Sequence, residues 1–488
     1  MNGVWRRSER TRRRLITRSD DGHIDQKHWR RCDCETKSTF FRSRQIQNSP
    51  NGNKATKSQH TSVKSLHLDQ SQLSNRVLVT RTSSMPPHAI ADSIANAGKL
   101  IVRTKRIMLV ALAIAFACEA RAQSSLPSVI AKSSNLSSAL PPREWVRLET
   151  GVDRGLDWLS RQQEKDGRFP SEDAVQPAIT SLAVMAFLSR GHVPDRGQYG
   201  AQLSKAIDFV LSTQRRQGEF SFLPVEPPAG HMLPGQTSTY NHSIAGLMLG
   251  EVYGMTAGDR SRKIESAINR ALIYHREIQS RTKQTPHDIG GWRYGFPDSP
   301  DASSDMSVTG WGLMFLRSAR NAEFNVPKQY FDEGLDFVER CYEKDSTQHE
   351  LGIFRYRPLL SDPKGNPQIS LANTSSAMLT LVLGGRQDHE SIGVGAKWFQ
   401  SHDYPRHWQI GYFYLSTYYS SQAMSQVGGE TWNKVFPQIA RNLLNEQAAD
   451  GSWPSEVSSE RKFGSNYTTS LAILALTPPY QLLPIFQR

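Results

Sequence analysis

The chain of 488 residues is poor in cysteine, with only Cys32, Cys34, Cys118 and Cys341. Two lie in a basic amino-terminal stretch and one in a short apolar run, so a single thiol serves the remainder. That excludes a disulfide framework and a cysteine-rich zinc site. No pair of histidines stands at i, i+4 spacing beside a carboxylate. No metal and no cofactor is therefore expected. The chain also lacks an apolar run of the roughly 20 residues that a spanning helix needs. An excess of positive charge is missing where it would matter. Residues 1–122 hold 23 Lys and Arg against 9 Asp and Glu, which leaves 36 against 37 for residues 123–488. The formal charge of +13 thus belongs to the first quarter. The near-neutral remainder does not suit phosphate binding, and no nucleic-acid partner is expected.

Residues 1–102 are rich in Arg, Ser, Asn and Gln without a sustained apolar period, as in Arg12-Arg13-Arg14. They read as a solvated, disordered leader. Arg103-Thr104-Lys105-Arg106 then precedes the apolar run Ile107 to Cys118, and Ala120-Arg121-Ala122 follows. A basic flank, about a dozen apolar residues and an A-x-A site make a secretory signal peptide over 103–122, cleaved after Ala122. The expected location is periplasmic or secreted, without a transmembrane span in the mature chain. An uncleaved anchor over 107–118 is the alternative. Because a signal peptide normally opens a chain, translation starting near Met85 or Met108 is the simplest account of the leader. Residues 123–144 read as a Ser- and Pro-rich linker.

From residue 145 to 488 one design recurs about six times. Each unit opens with an amphipathic helix, as in Gly155-Leu156-Asp157-Trp158-Leu159, Gly334-Leu335-Asp336-Phe337-Val338 and Ala440-Arg441-Asn442-Leu443-Leu444. Apolar residues at i, i+3 and i+4 share one face. A Gly-aromatic turn follows in five units, ending at Phe169, Phe220, Trp292, Phe354 and Trp453. Glycine admits the positive φ of a tight turn, and the ring fills the space beneath. A second, more apolar helix closes each unit. Its first turn carries Ser, Thr or Asn, which suit a helix cap, as in Thr180-Ser181 and Thr374-Ser375-Ser376. The fifth unit lacks the turn and keeps Tyr412-Phe413-Tyr414-Leu415. Units recur at about 50–65 residues. Six such pairs can close into a ring with polar helices outside, apolar helices inside and an axial cavity. The expected fold is all-α, an (α/α)6 toroid.

These turns, above all Gln162-Gln163-Glu164-Lys165-Asp166-Gly167-Arg168-Phe169 and Glu446-Gln447-Ala448-Ala449-Asp450-Gly451-Ser452-Trp453, resemble the repeat of the terpenoid-cyclase and protein-prenyltransferase toroids. Tyr240-Asn241-His242-Ser243, Gly290-Gly291-Trp292-Arg293-Tyr294 and Val308-Thr309-Gly310-Trp311 look closer to exported bacterial squalene-cyclase-like proteins. The resemblance implies a fold and leaves activity open, since one fold hosts many functions. It implies a proton-donating Asp-x-Asp-Asp at the start of an inner helix. The corresponding Ser303-Ser304-Asp305-Met306 keeps only Asp305. That residue is the one catalytic candidate. A lone Asp at a helix amino terminus is normally held ionised, the wrong state for an acid, so a cap is the competing role. The zinc site of prenyltransferases is not implied, because Glu339-Arg340-Cys341 lacks their Asp-x-Cys spacing. The thioester Cys-Gly-Glu-Gln is missing too.

Candidate cavity or ligand residues are His242, Tyr240, Trp292, Trp311, Tyr412 and Tyr467, with Tyr294 and Tyr414 as further members of an aromatic wall. Core filling is the plain alternative for the rings, and a buried His bonded to a loop carbonyl is the alternative for His242. Asp298 and Asp301 are spaced for glycan chemistry or for an ordinary turn. The expected function is an exported toroid that binds a hydrophobic or isoprenoid ligand, or a protein partner, without squalene cyclisation. The alternatives are a divergent isoprenoid cyclase or transferase, and an extracytoplasmic carbohydrate-active toroid.

Overall fold

The computed structural model describes residues 136–223, 237–294, 303–344, 350–360, 365–406, 409–454 and 458–487. The segments read from the sequence as leader and signal peptide, most of the expected linker, and Asp298 and Asp301 lie outside the described residues. The described residues form thirteen α-helices and no strand beyond three isolated bridges. None of the described helices is long and apolar enough to cross a membrane.

Six helices form an inner ring: α2 (Ala178–Leu188), α4 (Ser238–Tyr253), α6 (Met306–Asn321), α8 (Leu371–Leu383), α10 (Phe413–Val427) and α13 (Ser465–Leu476). Each packs on the next, and α13 packs back on α2. Six outer helices alternate with them in sequence: α1 (Pro142–Gln162), α3 (Gly200–Ser212), α5 (Gly258–Ser280), α7 (Lys328–Arg340), α9 (Glu390–Ser401) and α11 (Gly429–Glu446). The short α12 (Ser458–Arg461) precedes α13. The sixth unit also meets the first where α13 and α11 each pack on α1. The chain is a closed (α/α)6 toroid, as the repeat predicts.

Amphipathicity sorts the two layers. Outer α1 buries Leu148, Val152, Leu156 and Leu159 on one stripe, the 3.6-residue pattern of a helix with one wet face. In inner α2 all residues are buried, so no polar stripe is needed. Small residues set the spacing of the inner ring. A Cβ on Gly246 of α4 would collide with the Phe315 ring of α6, and one on Gly310 of α6 would collide with Ser376 of α8.

The Gly-aromatic turns carry positive φ at Gly167, Gly218, Gly290, Gly352 and Gly451. In four of them an added Cβ would strike the backbone of a neighbouring outer helix: Lys205, Arg270, Glu333 and, across the ring closure, Arg154. A glutamine fixes each of these contacts. Gln163 Nε2 donates to Gly167 O at 2.9 Å and Gln202 O at 2.8 Å. Gln214 and Gln279 repeat this with Ala267 and Tyr330. Gln447 does so with Gly451 O at 2.9 Å and Gly151 O of α1 at 2.8 Å. The first and last units are therefore joined by the same bonds as adjacent ones.

The hydroxyls at the starts of the inner helices differ from expectation. No side-chain cap bond forms at α2, α4, α10 or α13. Thr180, Thr309, Thr374 and Thr469 instead accept the backbone N–H of Phe169, Trp292, Phe354 and Trp453. The buried turn needs an acceptor there, and that need outweighs capping. In the second unit the position is filled by His242, whose Nδ1 accepts from Phe220 N at 3.4 Å. The fifth unit, which has no such turn, is capped from the sixth: the Glu460 carboxylate accepts from Tyr414 N and Leu415 N at 3.2 Å.

Candidate functional site

Along the axis lies a cavity of 740 Å³, lined from all six inner helices by residues near their amino termini. Ile179 of α2, Asn241 and Ile244 of α4, Trp311 of α6, Asn373 of α8, Leu415 of α10 and Tyr467 of α13 face it. Tyr294, Tyr356, Ile369 and Phe463 come from the loops between helices. The opposite end of the ring is covered by the carboxy-terminal tail. There Ile485 N donates to Glu251 of α4 at 3.1 Å, and Pro484 O and Phe486 O accept from Asn321 of α6 and Gln426 of α10 at 3.0 Å. The cavity therefore opens toward the amino termini of the inner helices, where their dipoles place partial positive charge.

The wall is aromatic. Tyr240 stacks near Tyr294 with 6.4 Å between centroids, and its O–H donates to Ser307 at 3.0 Å. Trp311 rests on Tyr418 and Tyr419 at 5.7 and 5.5 Å. No Asp or Glu occurs in the described lining, and Lys462 is its sole Lys or Arg.

Of the sequence candidates, Tyr240, Trp311, Tyr412 and Tyr467 line the cavity, as does Tyr294. Two are corrected. Trp292 is fully buried between the layers, its Nε1 donating to His275 O at 3.0 Å and its ring stacked on His275 at 4.5 Å. His242 also points outward, packed against Tyr274, His275 and Phe315. It lies in the ring's wall because it does the turn-binding work of the repeat threonine. Burial lowers its imidazole to about 3, so it is neutral. Tyr414 is likewise buried, its O–H given to Pro454 O at 3.2 Å.

Asp305 stands behind the wall. It caps α6, Oδ1 accepting from Val308 N at 2.9 Å, and Oδ2 lies 3.3 Å from Arg293 Nη1. It is fully buried, and Ser307 and Tyr356 reach the cavity where it does not. The expectation of an ordinary ionised cap is modified by burial. Desolvation pushes the carboxyl up to about 6, opposed by the Val308 N–H, Arg293 and a hydrogen bond from Tyr356. A second buried ionic group adjoins it. Asp288 accepts from Ser304 N at 2.9 Å and lies 3.6 Å from Arg357, while Lys283 donates to Gly291 O. Cys341 is buried, its thiol pushed up by desolvation.

Sequence reasoning missed Tyr356, Asn373 and Lys462. Tyr356 and Lys462 lie in loops whose position no periodicity fixes. Asn373 stands one residue before Thr374-Ser375-Ser376, and only its orientation in the fold brings it to the cavity.

No family model matches the chain, and no curated protein matches it. Among solved structures it is similar to the apo form of MstE, a type II terpene cyclase from Scytonema, at 14% identity over 69% of this chain and 99% of that one, with a TM-score of 0.43. A protein from Actinoplanes gives 16% identity over 68% and 99%, with a TM-score of 0.43. A family 76 glycoside hydrolase from a bovine Bacteroides thetaiotaomicron strain gives 11% identity over 68% and 78%, with a TM-score of 0.45. The class defined by the chain's own ring is an α/α toroid with one axial, aromatic-walled cavity.

Proposed function

We propose that the protein is an exported toroid that binds a mostly apolar, isoprenoid-like molecule in its axial cavity and does not cyclise squalene. The carrying observation is the cavity itself: 740 Å³, walled by tyrosine, tryptophan and aliphatic side chains, with no carboxylate in its described lining. Its size falls within the range of about 300–1,000 Å³ common to small-molecule sites. Protonating an unactivated alkene needs a neutral, strongly acidic carboxyl in contact with the substrate. Asp305 is ion-paired, serves as a cap and stands behind Tyr356. Glycoside hydrolysis needs two carboxyl groups about 5–9.5 Å apart across the bond, and the described lining offers none. Export rests on the basic flank, the apolar run and the A-x-A site of residues 103–122.

One observation favours a divergent cyclase as the second reading. The Asp305 carboxyl, raised to about 6, is hydrogen-bonded to Tyr356, which does reach the cavity. Incubating the purified protein with squalene, farnesol, prenyl diphosphates and mannan oligosaccharides separates the readings. Binding of squalene or farnesol without conversion is expected. A cyclised product lost in Asp305→Asn would replace the proposal with the second reading, and binding of the oligosaccharide alone would overturn both.

A further inference from the structure

The cavity's polar groups are unequally occupied, and the inequality describes a ligand. Asn241 and Asn373 hold the same place in their repeats, one residue before the side chain that accepts the turn N–H. Asn241 is spoken for. Its Nδ2 donates to Ala174 O at 2.8 Å and its Oδ1 accepts from Ala178 N at 3.3 Å. The side chain of Asn373 has no hydrogen-bond partner among the described residues, although it is 6% exposed and lines the cavity. The phenol of Tyr467, 8% exposed, also lines the cavity without a partner among them. Trp311 repeats the pattern a turn further into its helix: its indole N–H, on a residue 2% exposed, meets no acceptor among them. A polar group that faces a cavity without a protein partner is left to water or to a ligand. All three side chains can donate, so a molecule that displaces the cavity water is favoured when it supplies an oxygen acceptor.

Charge says which kind. Lys462 is the only cation of the described lining, no carboxylate accompanies it there, and its ammonium lies over the Phe463 ring at 5.0 Å without an ion pair among the described residues. The six inner helices turn their amino termini to the same cavity, which favours an anion. One lysine balances one negative charge. A phosphate ester, at about −1.5 to −2 near neutral pH, would outweigh it. Building on the apolar-ligand reading above, we propose that the ligand is a monocarboxylic amphiphile, its carboxylate held at the open end of the cavity by Lys462 with Asn373 and Tyr467 as donors, its chain running down the aromatic wall.

Four probes sharing one C15 isoprenoid chain test this against the full-length protein by calorimetry at pH 7.5: farnesoic acid, methyl farnesoate, farnesol and farnesyl phosphate. The acid is expected to bind about tenfold more tightly than the ester, as one charge-assisted contact of about 1.4 kcal/mol gives. Lys462→Met should abolish that advantage. Asn373→Leu should weaken the acid more than the ester. Equal binding of acid and ester would overturn the proposal and leave the apolar-cavity reading standing. Tighter binding of the phosphate than of the acid would overturn the single-charge assignment. Failure of all four probes would overturn the cavity reading and this proposal with it.

Discussion

Gly451→Ala is the sharpest probe of the closed ring. Gly451 has φ +100°, and an added Cβ would stand 2.5 Å from Arg154 O and 3.0 Å from Arg154 C. These are backbone atoms of α1, so relief requires moving a whole helix. Left-handed alanine costs roughly 1–2 kcal/mol by itself. Displacing α1 also strains the Gln447 bonds to Gly151 O and Gly451 O, together worth about 1–2 kcal/mol. The expected loss is thus about 3 kcal/mol. Gly197→Ala is the control, because Gly197 has φ +69° with nothing within 4 Å of the added Cβ. It should lose only the conformational part, about 1 kcal/mol. Urea unfolding followed by far-ultraviolet circular dichroism reads the difference. With a slope of about 3 kcal/mol per molar urea, the midpoint should fall by about 1 M in Gly451→Ala and about 0.3 M in the control. Gly167→Ala, at an equivalent junction, should match Gly451→Ala. If Gly451→Ala behaved like Gly197→Ala while Gly167→Ala did not, the first and sixth units would not be in contact, and the toroid would be refuted.

Three further outcomes are expected. Glu251 is fully buried and its carboxyl is pushed up to about 7 by desolvation, despite the Ser318 and Ile485 donors. A raised carboxyl binds its proton more tightly in the fold, so its cost is absent below about pH 4.5 and complete above about pH 7. Glu251→Gln should therefore leave stability at pH 4.5 nearly unchanged and raise it at pH 8 by on the order of 2–3 kcal/mol; equal effects at both pH values in thermal melts would contradict the assignment. His242→Thr restores the acceptor used by the other units for the N–H that follows the turn, but empties space beside His275. It should cost about 1–3 kcal/mol of stability with farnesol affinity unchanged, and a fall in affinity would return His242 to the cavity. Asp305→Asn keeps the cap and loses the Arg293 pair. Burial raises this carboxyl as it does that of Glu251, so removing the charge offsets the loss of the pair; little net change in stability above pH 7 and no loss of ligand binding are expected, and thermal melts and calorimetry of the variant check both.

Much of the architecture was legible because it repeats. The i, i+3, i+4 stripe of the outer helices, the uninterrupted apolarity of the inner ones and a glycine before a buried ring each have a single physical reading, and six copies leave one arrangement that buries every inner face. The site was legible only in part. Tyr240, Trp311, Tyr412 and Tyr467 were identifiable as aromatic residues near inner-helix starts, the end of the helix that borders the cavity. Trp292 and His242 carry the same signals of residue type and place, yet both face the layer between the helices. Periodicity separates one face of a helix from another. It does not say whether a residue at the very start of a helix looks along the axis or back toward its own turn.

By itself, then, the sequence determined the helix pairs, their number, the turn glycines and the neutrality of the folded portion, because each follows from local stereochemistry or from composition. Tertiary structure decided the rest: that the ring closes through Gln447 and Gly151, that Asp305 is walled off behind Tyr356, and that the Asn373 side chain makes no hydrogen bond among the described residues while that of its counterpart Asn241 does. Those outcomes depend on which groups from distant units meet, and a hydrogen bond between residues some 300 positions apart leaves no trace in the pattern of either neighbourhood.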